Sequence, residues 1–282
     1  MYRSDLLAGR VVFITGGGTG LGSSMAKRIA ALGAKVFIVG RRLDPLQQAS
    51  IEIQSAGGTC GFVQCDIREP SSVEAALVEA ERQFGSIDTL INNAAGNFIV
   101  RTEKLSPKGF AAIVDVVLKG TFHCTLALAQ RWVAGKRPGV ILNIVTTYAQ
   151  NGSAYVVPSA CAKAGVLAMT RSLAVEWSGY GIRVNAIAPG PFPTEAAWSK
   201  LLPGQQDEER LRNAHPMKRF GRPDELADLA VYMISRQSEY INGECVVIDG
   251  GKWLKGAGSF NHLSDLTQSE WEARETMRTQ GT

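Results

Sequence analysis

Short apolar runs rich in β-branched residues recur along the chain, separated by longer stretches in which apolar residues return every three or four positions. The runs predict strands near residues 10 to 15, 35 to 40, 60 to 65, 88 to 92, 139 to 145, 181 to 187 and 244 to 248. The helical period predicts helices at about 21 to 32, 44 to 56, 70 to 84, 107 to 132, 159 to 178 and 223 to 235. Regular alternation of the two is the pattern of a parallel sheet covered on both faces. The expected architecture is α/β: a single doubly wound domain over residues 1 to 282, its seven-stranded parallel sheet flanked by helices on both faces. Connections read as short except for 191 to 222, which holds Pro191, Pro193, Pro203, Gly204 and Pro216 and an acidic patch at Asp207, Glu208 and Glu209. A loop of that length is expected to act as a substrate loop. From 252 to 282 the chain is polar with Trp253, Phe260 and Trp271 interspersed, as expected of a surface or subunit-contact extension.

Bulk properties narrow the function classes. The 282 residues are 45% hydrophobic, ordinary for a globular core. With 30 basic against 26 acidic residues and no long basic run, nothing marks a nucleic-acid partner, although a modest positive patch leaves room for a phosphorylated ligand. No stretch reaches the roughly 18 uninterrupted apolar residues of a membrane span. Met1 to Arg10 are too short and too mixed for a leader, and Thr279-Gln280-Gly281-Thr282 is not a peroxisomal Ser-Lys-Leu address, so a cytoplasmic protein is expected. Five cysteines (Cys60, Cys65, Cys124, Cys161, Cys245) are odd in number and lack metal-type spacing. They read as small core residues in a reducing compartment, with no metal site. His123, His215 and His262 show no partner pattern and read as structural or surface residues.

Val11 to Ile14 lead into Thr15-Gly16-Gly17-Gly18-Thr19-Gly20-Leu21-Gly22, and a helical segment follows at once. Glycines at 16, 20 and 22 permit a tight turn and close approach of a pyrophosphate, while the helix start offers free N–H groups and a favourable dipole. Glycine-rich turns also arise from packing alone. Here the strand before, the helix after and the place at the first strand–helix junction select a dinucleotide site, and hence a Rossmann-type domain. The second strand ends in Val39-Gly40-Arg41-Arg42, where an NAD site would place an acid for the ribose 2′-hydroxyl. Two guanidinium groups instead suit a 2′-phosphate, so NADP(H) is the expected cofactor. The plainer alternative is a pair of solvated arginines at a helix start. Asp66, after the apolar run Gly61 to Cys65, is placed to accept the adenine amino group, though a lone aspartate also caps helices.

Five more landmarks follow in order: Asn92-Asn93-Ala94-Ala95-Gly96 after the fourth strand, Lys163, Pro189-Gly190 after the sixth, Asn242-Gly243, and Asp249-Gly250-Gly251. Together with the glycine turn and Asp66, they make the chain resemble the short-chain dehydrogenase/reductase family along nearly its whole length. The resemblance implies a bound nicotinamide cofactor, a lysine that holds the nicotinamide ribose, and usually a homotetramer. On these positions the cofactor contacts would be residues 16 to 22 (Gly16, Gly17, Gly18, Thr19, Gly20, Leu21, Gly22), Arg41, Arg42, Asp66, Asn93, Lys163, Pro189, Gly190, Pro191 and Phe192.

Two family positions are altered. Ser159, in Ser159-Ala160-Cys161-Ala162-Lys163, occupies the tyrosine place of Tyr-x-x-x-Lys, and Val117 stands where an asparagine normally joins the proton relay. Thr146 keeps a hydroxyl where the usual catalytic serine would be. A serine hydroxyl ionises far above the roughly 10 of a phenol, so it cannot readily replace the proton donor of a ketone reductase. Either the chemistry is lost or a tyrosine from elsewhere does different chemistry.

The departures are similar to one subgroup, the NADPH-dependent 2,4-dienoyl-CoA reductases of mitochondrial and peroxisomal type. The strings that carry this are Asn93-Ala94-Ala95-Gly96-Asn97-Phe98-Ile99, Val156-Val157-Pro158-Ser159-Ala160, Ala162-Lys163-Ala164-Gly165-Val166, Gly190-Pro191 and Ser259-Phe260-Asn261. The subgroup's catalytic tyrosine lies fifteen residues before the lysine, which is Tyr148 here, and its second oxyanion donor is the asparagine at Asn97. Tyr155 is a competing phenol without that spacing. Substrate contacts carried over by resemblance are Arg41, Arg68, Phe98, Ser106, Tyr148, Ser159 and Lys200, the last standing where relatives often have arginine; Arg41, Arg68, Phe98, Ser106 and Lys200 could equally be solvated surface residues.

In ketone reduction the acid sits beside the carbon that takes the hydride. In a 2,4-dienoyl thioester the hydride goes to C5 while charge collects on the thioester oxygen at C1, so the phenol must move with the charge. Tyr148 and Asn97 would hold that oxygen, each donor worth roughly 3 kcal/mol of barrier. Protonation at C2 from solvent would leave a 3-enoyl-CoA, a step in unsaturated fatty acid beta-oxidation. Lys163, four residues after Ser159 on one helix face, would bind the ribose and help polarise the phenol, and the Ser159 hydroxyl would reach the pyrophosphate or the substrate end. A trans-2-enoyl-CoA reductase is the enzymatic alternative. A 3-oxoacyl reductase should carry tyrosine at position 159. A cofactor-binding scaffold or redox sensor is opposed by retention of Lys163 and an alternative oxyanion pair.

Overall fold

In the computed structural model, which describes residues 2–194 and 205–280, seven strands make one parallel sheet. They are β1 (Val11–Thr15), β2 (Lys35–Gly40), β3 (Thr59–Gln64), β4 (Thr89–Asn92), β5 (Gly139–Ile144), β6 (Ile182–Pro189) and β7 (Cys245–Ile248), hydrogen-bonded in the order β3-β2-β1-β4-β5-β6-β7. Between them run α1 (Gly20–Ala30), α2 (Leu43–Ser55), α3 (Pro70–Phe84), α4 (Pro107–Val114), α5 (Gly120–Ala134), α6 (Tyr148–Asn151) and α7 (Val157–Glu176). A helix at Pro223–Ile234 precedes β7.

Side chains on a strand alternate between faces, and here both faces are apolar. Val12 and Ile14 of β1, with Val36 and Ile38 of β2, pack in one core with Met25 and Ile29 of α1, Ile53 of α2 and Val231 of the Pro223–Ile234 helix. Val11, Phe13, Phe37 and Val39 point the other way, into a core shared with Leu77 of α3, Leu128 and Trp132 of α5 and Ala174 of α7. Each fully buried large side chain contributes about 1.5–3 kcal/mol. Two apolar faces force two helical layers, which is why the chain is doubly wound. Trp132 closes the second layer: its indole N–H donates to the Ile87 carbonyl at 2.7 Å. A Cβ on Gly139 would lie only 2.3 Å from its ring, so that strand start admits only glycine.

Strand limits fall within two residues of those the pattern predicts. Helical segments differ more. The expected helix over 107 to 132 is interrupted by a π-helical turn at Asp115–Lys119, where the Thr121 hydroxyl donates to the Val117 carbonyl at 2.7 Å. By length and composition, Pro107–Ala134 is apolar enough to cross a membrane, yet Cys124, Leu128 and Trp132 on its inner side are buried against the sheet. The long connection after β6 is not structureless, because Gln205–Asn213 is helical; its run of Gln, Glu, Arg and Leu favours helix without any apolar stripe to reveal it. The polar tail likewise folds into helices at Lys252–Ala257 and Gln268–Gln280. Four cysteines are buried as expected, but Cys161 is exposed, because its neighbours Ala160 and Ala162 take the inward positions on α7.

The strand order sets β1 beside β4, with the chain winding away from that line in opposite directions. Ligands of doubly wound sheets bind in the crevice this creates beyond the carboxyl ends of the strands. Both the glycine turn after β1 and Asn93 to Gly96 after β4 lie at that edge.

Candidate active site

The glycine turn is held by short-range sterics. Gly16 and Gly20 adopt φ +65° and +54°, and a Cβ on Gly22 would sit 2.1 Å from the Gly16 carbonyl oxygen. The turn is pinned to the end of β4, where the Asn93 amide donates to the Thr15 and Gly16 carbonyls at 3.1 Å each and the Thr15 hydroxyl accepts from the Asn93 and Ala94 N–H groups at 3.0 Å each. Thr15 opens the glycine string, but the pattern of residue types assigns its hydroxyl no partner. Thr19, at the start of α1, makes no side-chain cap, so the first N–H groups of that helix stay available to an anion. Gly190 after β6 lies so close to Asp249 that a Cβ would approach to 2.6 Å, and the segment beyond brings Thr194 against Gly20. Phe192 is buried, packed over Gly221, and so reaches the site through its backbone position. Close-packed glycines and free helix N–H groups at one edge make a cradle suited to a phosphate.

Arg41 and Arg42 are exposed beyond β2. Asp66 has a partner of its own: Arg68 grips both carboxylate oxygens at 2.5–3.0 Å. Hydrogen bonds from Arg68, and more weakly the charge of Arg41, hold the Asp66 carboxyl below the usual carboxylate range. Arg68, expected to contact substrate, pairs with Asp66 in this structure.

Three of the four candidate catalytic side chains meet. The Asn97 amide lies 3.3 Å from the Tyr148 hydroxyl, and that hydroxyl lies 3.1 Å from the Ser159 hydroxyl. They come from the loop after β4, the first residue of α6 beyond β5, and the first turn of α7. Ser159 was expected to reach the pyrophosphate or the substrate end. The structure joins it to Tyr148, because it is buried on α7 and faces the phenol. The Asn97 carbonyl oxygen accepts from the Phe98 N–H at 2.9 Å, which leaves the NH₂ end turned to Tyr148.

Lys163, the fourth, is 7% exposed and donates to the Ile144 carbonyl at the end of β5, not to the phenol. Burial pushes its ammonium down to about 8. A fixed cation at the mouth of β5 suits a ribose hydroxyl.

The remaining candidates are scattered. The Ser106 hydroxyl caps α4, accepting from the Gly109 N–H at 3.0 Å. Phe98 packs against the cluster of Ile113, Val117 and Ala162. Lys200 lies outside the described residues. Tyr155 is exposed, with φ +66°. Asn242 and Asp249 have structural duties. The former joins β6 to α7 through Val184 and Ala174, and the latter caps the Lys252–Ala257 helix through the Gly251 and Trp253 N–H groups.

A doubly wound sheet with a glycine cradle, a buried lysine and a phenol–amide pair at the same edge defines an oxidoreductase of the nicotinamide-nucleotide class. Residues 16–252 match the family model described as Enoyl-(Acyl carrier protein) reductase. A Bacillus subtilis protein named probable 2,4-dienoyl-CoA reductase, (2E)-enoyl-CoA-producing, is 48% identical over 87% of this chain and 97% of its own. The Danio rerio peroxisomal 2,4-dienoyl-CoA reductase, (3E)-enoyl-CoA-producing, is 36% identical over 95% of this chain and 90% of its own. Among solved structures, a short chain dehydrogenase from Bacillus anthracis is 44% identical with a TM-score of 0.80, covering 86% of this chain and 96% of that one. A Burkholderia cenocepacia gluconate 5-dehydrogenase in complex with NADP and tartrate is 30% identical with a TM-score of 0.82, covering 88% and 97%. The chain belongs to the short-chain dehydrogenase/reductase family.

Proposed function

We propose that this protein reduces 2,4-dienoyl-CoA thioesters to 3-enoyl-CoA with NADPH. The observation that carries the reading is the Asn97 amide standing 3.3 Å from the Tyr148 hydroxyl, which puts two groups able to donate to an oxyanion side by side. When bound, the reduced nicotinamide supplies a hydride to C5 of the conjugated chain. Negative charge then gathers on the thioester oxygen, where the Tyr148 O–H and the Asn97 N–H donate to it. With the phenol proton directed at substrate, the Ser159 hydroxyl donates to the phenol oxygen. The enolate so held takes a proton from water at C2, giving the 3-enoyl product; protonation at C4 would give the 2-enoyl isomer instead. Support for NADPH over NADH comes from Arg41 and Arg42 beyond β2, with Gly40 rather than an acid ending the strand. The reading includes Lys163 on the ribose and an acyl-CoA seated along the loop that carries Asn97. It also includes a cytoplasmic homotetramer, supported by apolar side chains left exposed on α4, α5 and α7 at Phe110, Phe122 and Val175. Light scattering of the purified protein tests that assembly.

The deciding experiment measures NADPH oxidation with a 2,4-dienoyl-CoA, a trans-2-enoyl-CoA and a 3-oxoacyl-CoA, with the product double bond located by NMR. Turnover of the dienoyl thioester to the 3-enoyl product is expected. Preference for the 2-enoyl or 3-oxo substrate overturns the reading.

A further inference from the structure

Two features near the site have no role in the chemistry above: a valine where the family places a polar relay residue, and a non-glycine residue with positive φ beside Asn97. Both touch the loop that carries that amide. Residues 93–100 form no helix or strand, so the position of Asn97 depends on what the loop is fastened to.

One fastening is apolar. Val117 is fully buried in the π-helical turn and forms a small cluster with Ile113 and with Ala162 of α7, onto which the Phe98 ring packs. The same loop lies close to α4: a Cβ on Gly109 would stand 3.6 Å from the Phe98 ring, and one on Gly96 would stand 3.6 Å from Ile113. An asparagine at 117 would place an amide inside this cluster beside the ring, at the cost of an unsatisfied buried polar group. Phe98 follows Asn97 directly and its N–H fixes the Asn97 carbonyl oxygen, so anchoring the ring fixes the direction of the amide.

The other fastening is polar. The Val100 N–H donates to the Tyr155 carbonyl at 2.9 Å, joining the Asn97 loop to the segment between Tyr148 and Ser159. Tyr155 presents that carbonyl from φ +66°, a conformation an aromatic residue seldom adopts. Its ring is 57% exposed, so burial of the side chain does not explain the strain.

We propose that Phe98 seated on the cluster of Ile113, Val117 and Ala162, and the Tyr155 carbonyl held in the left-handed conformation, are a two-point clamp that positions the Asn97 amide against Tyr148. Val117 thereby takes over, by packing, a task in the oxyanion site that a polar side chain there could not perform. These are positioning residues, and the inference rests on the reading of Asn97 and Tyr148 as the oxyanion pair.

The test is a set of variants assayed for dienoyl-CoA reduction, with NADPH binding and Tm followed as checks on folding. Phe98→Ala is expected to lower kcat about 10- to 100-fold with KM changed less than threefold, and Phe98→Leu to recover most of the loss, following the roughly 100- to 1,000-fold effect of deleting an oxyanion donor outright. In an Asn97→Ala background, Phe98→Ala should have no further effect on kcat, because the group it positions is gone. Tyr155→Gly keeps the backbone conformation and Tyr155→Val opposes it, so the valine variant should be about tenfold lower in kcat than the glycine variant. Independent, multiplying effects of Phe98→Ala and Asn97→Ala, or equal kcat in the two Tyr155 variants, would overturn the clamp while leaving the oxyanion reading intact. An Asn97→Ala enzyme with undiminished kcat would instead sink the underlying reading and the clamp with it.

Discussion

The Tyr148 hydroxyl lies 3.1 Å from the Ser159 hydroxyl, and Ser159 is 2% exposed, so the phenol has one fixed hydroxyl neighbour on the helix that also carries Lys163. A buried hydroxyl that donates to the phenol oxygen stabilises the arrangement in which the phenol proton points at substrate. Ser159→Ala removes that donor and should lower kcat about fivefold, in line with the roughly 1 kcal/mol of a neutral hydrogen bond. Steady-state kinetics should show the loss in kcat with the cofactor KM unchanged.

Removing the phenol itself is more costly. Tyr148→Phe is expected to reduce kcat about 100- to 1,000-fold, the range for loss of one donor to a developing oxyanion. Adding Ser159→Ala to that variant should cost nothing more, since the serine acts through the phenol. A double variant substantially worse than Tyr148→Phe alone would show that Ser159 meets the substrate directly.

Lys163 gives a pH signature in the cofactor-free protein. Its ammonium titrates at about 8 when folded, below the 10.5 of the unfolded chain, because burial disfavours charge. Across that interval the unfolded chain keeps a proton that the folded one has released. Stability therefore rises with pH there, while below pH 8 the burial cost is borne in full. Lys163→Met lacks the term. The hydrogen bond to Ile144 offsets part of the burial cost. Urea unfolding should therefore find the methionine variant the more stable at pH 7, by about 2 kcal/mol, with the gap closing towards pH 10.5.

Arg41 and Arg42 are predicted to set cofactor choice. Replacing both by alanine removes charge-assisted hydrogen bonds to a 2′-phosphate, each worth about 1.5–3 kcal/mol. The ratio of kcat/KM for NADPH over NADH should fall at least about tenfold, mainly through the NADPH KM. An unchanged ratio would assign both side chains to the solvated surface.

Gly22→Ala tests the cradle without removing any polar group. The new methyl would meet the Gly16 carbonyl oxygen at 2.1 Å, a backbone atom that cannot swing aside. A loss of about 3 kcal/mol is expected, lowering Tm by roughly 6–12 °C and weakening cofactor binding together with it.

The sequence by itself determined the sheet and the list of chemical groups. Unbroken apolar runs such as Val11 to Ile14 can only be strands buried on both faces, and the glycine turn, with no room for any side chain at Gly22, is written directly in residue type. The fifteen-residue interval from Tyr148 to Lys163 was also legible. Polar helices without an apolar stripe, such as Gln205–Asn213, escaped notice because periodicity reports burial and these segments bury little. Only the tertiary structure decided which groups meet. Asn97, Tyr148 and Ser159 come from three elements after two different strands, and their convergence depends on the sheet order that sets β4 beside β5. The same holds for Phe98 resting on the cluster of Ile113, Val117 and Ala162, and for the carbonyl of Tyr155 facing Val100. Hydrogen bonds and van der Waals contacts act over a few ångströms, whereas Tyr148 stands 11 positions from Ser159 and 51 from Asn97, so spacing could nominate these side chains but not pair them.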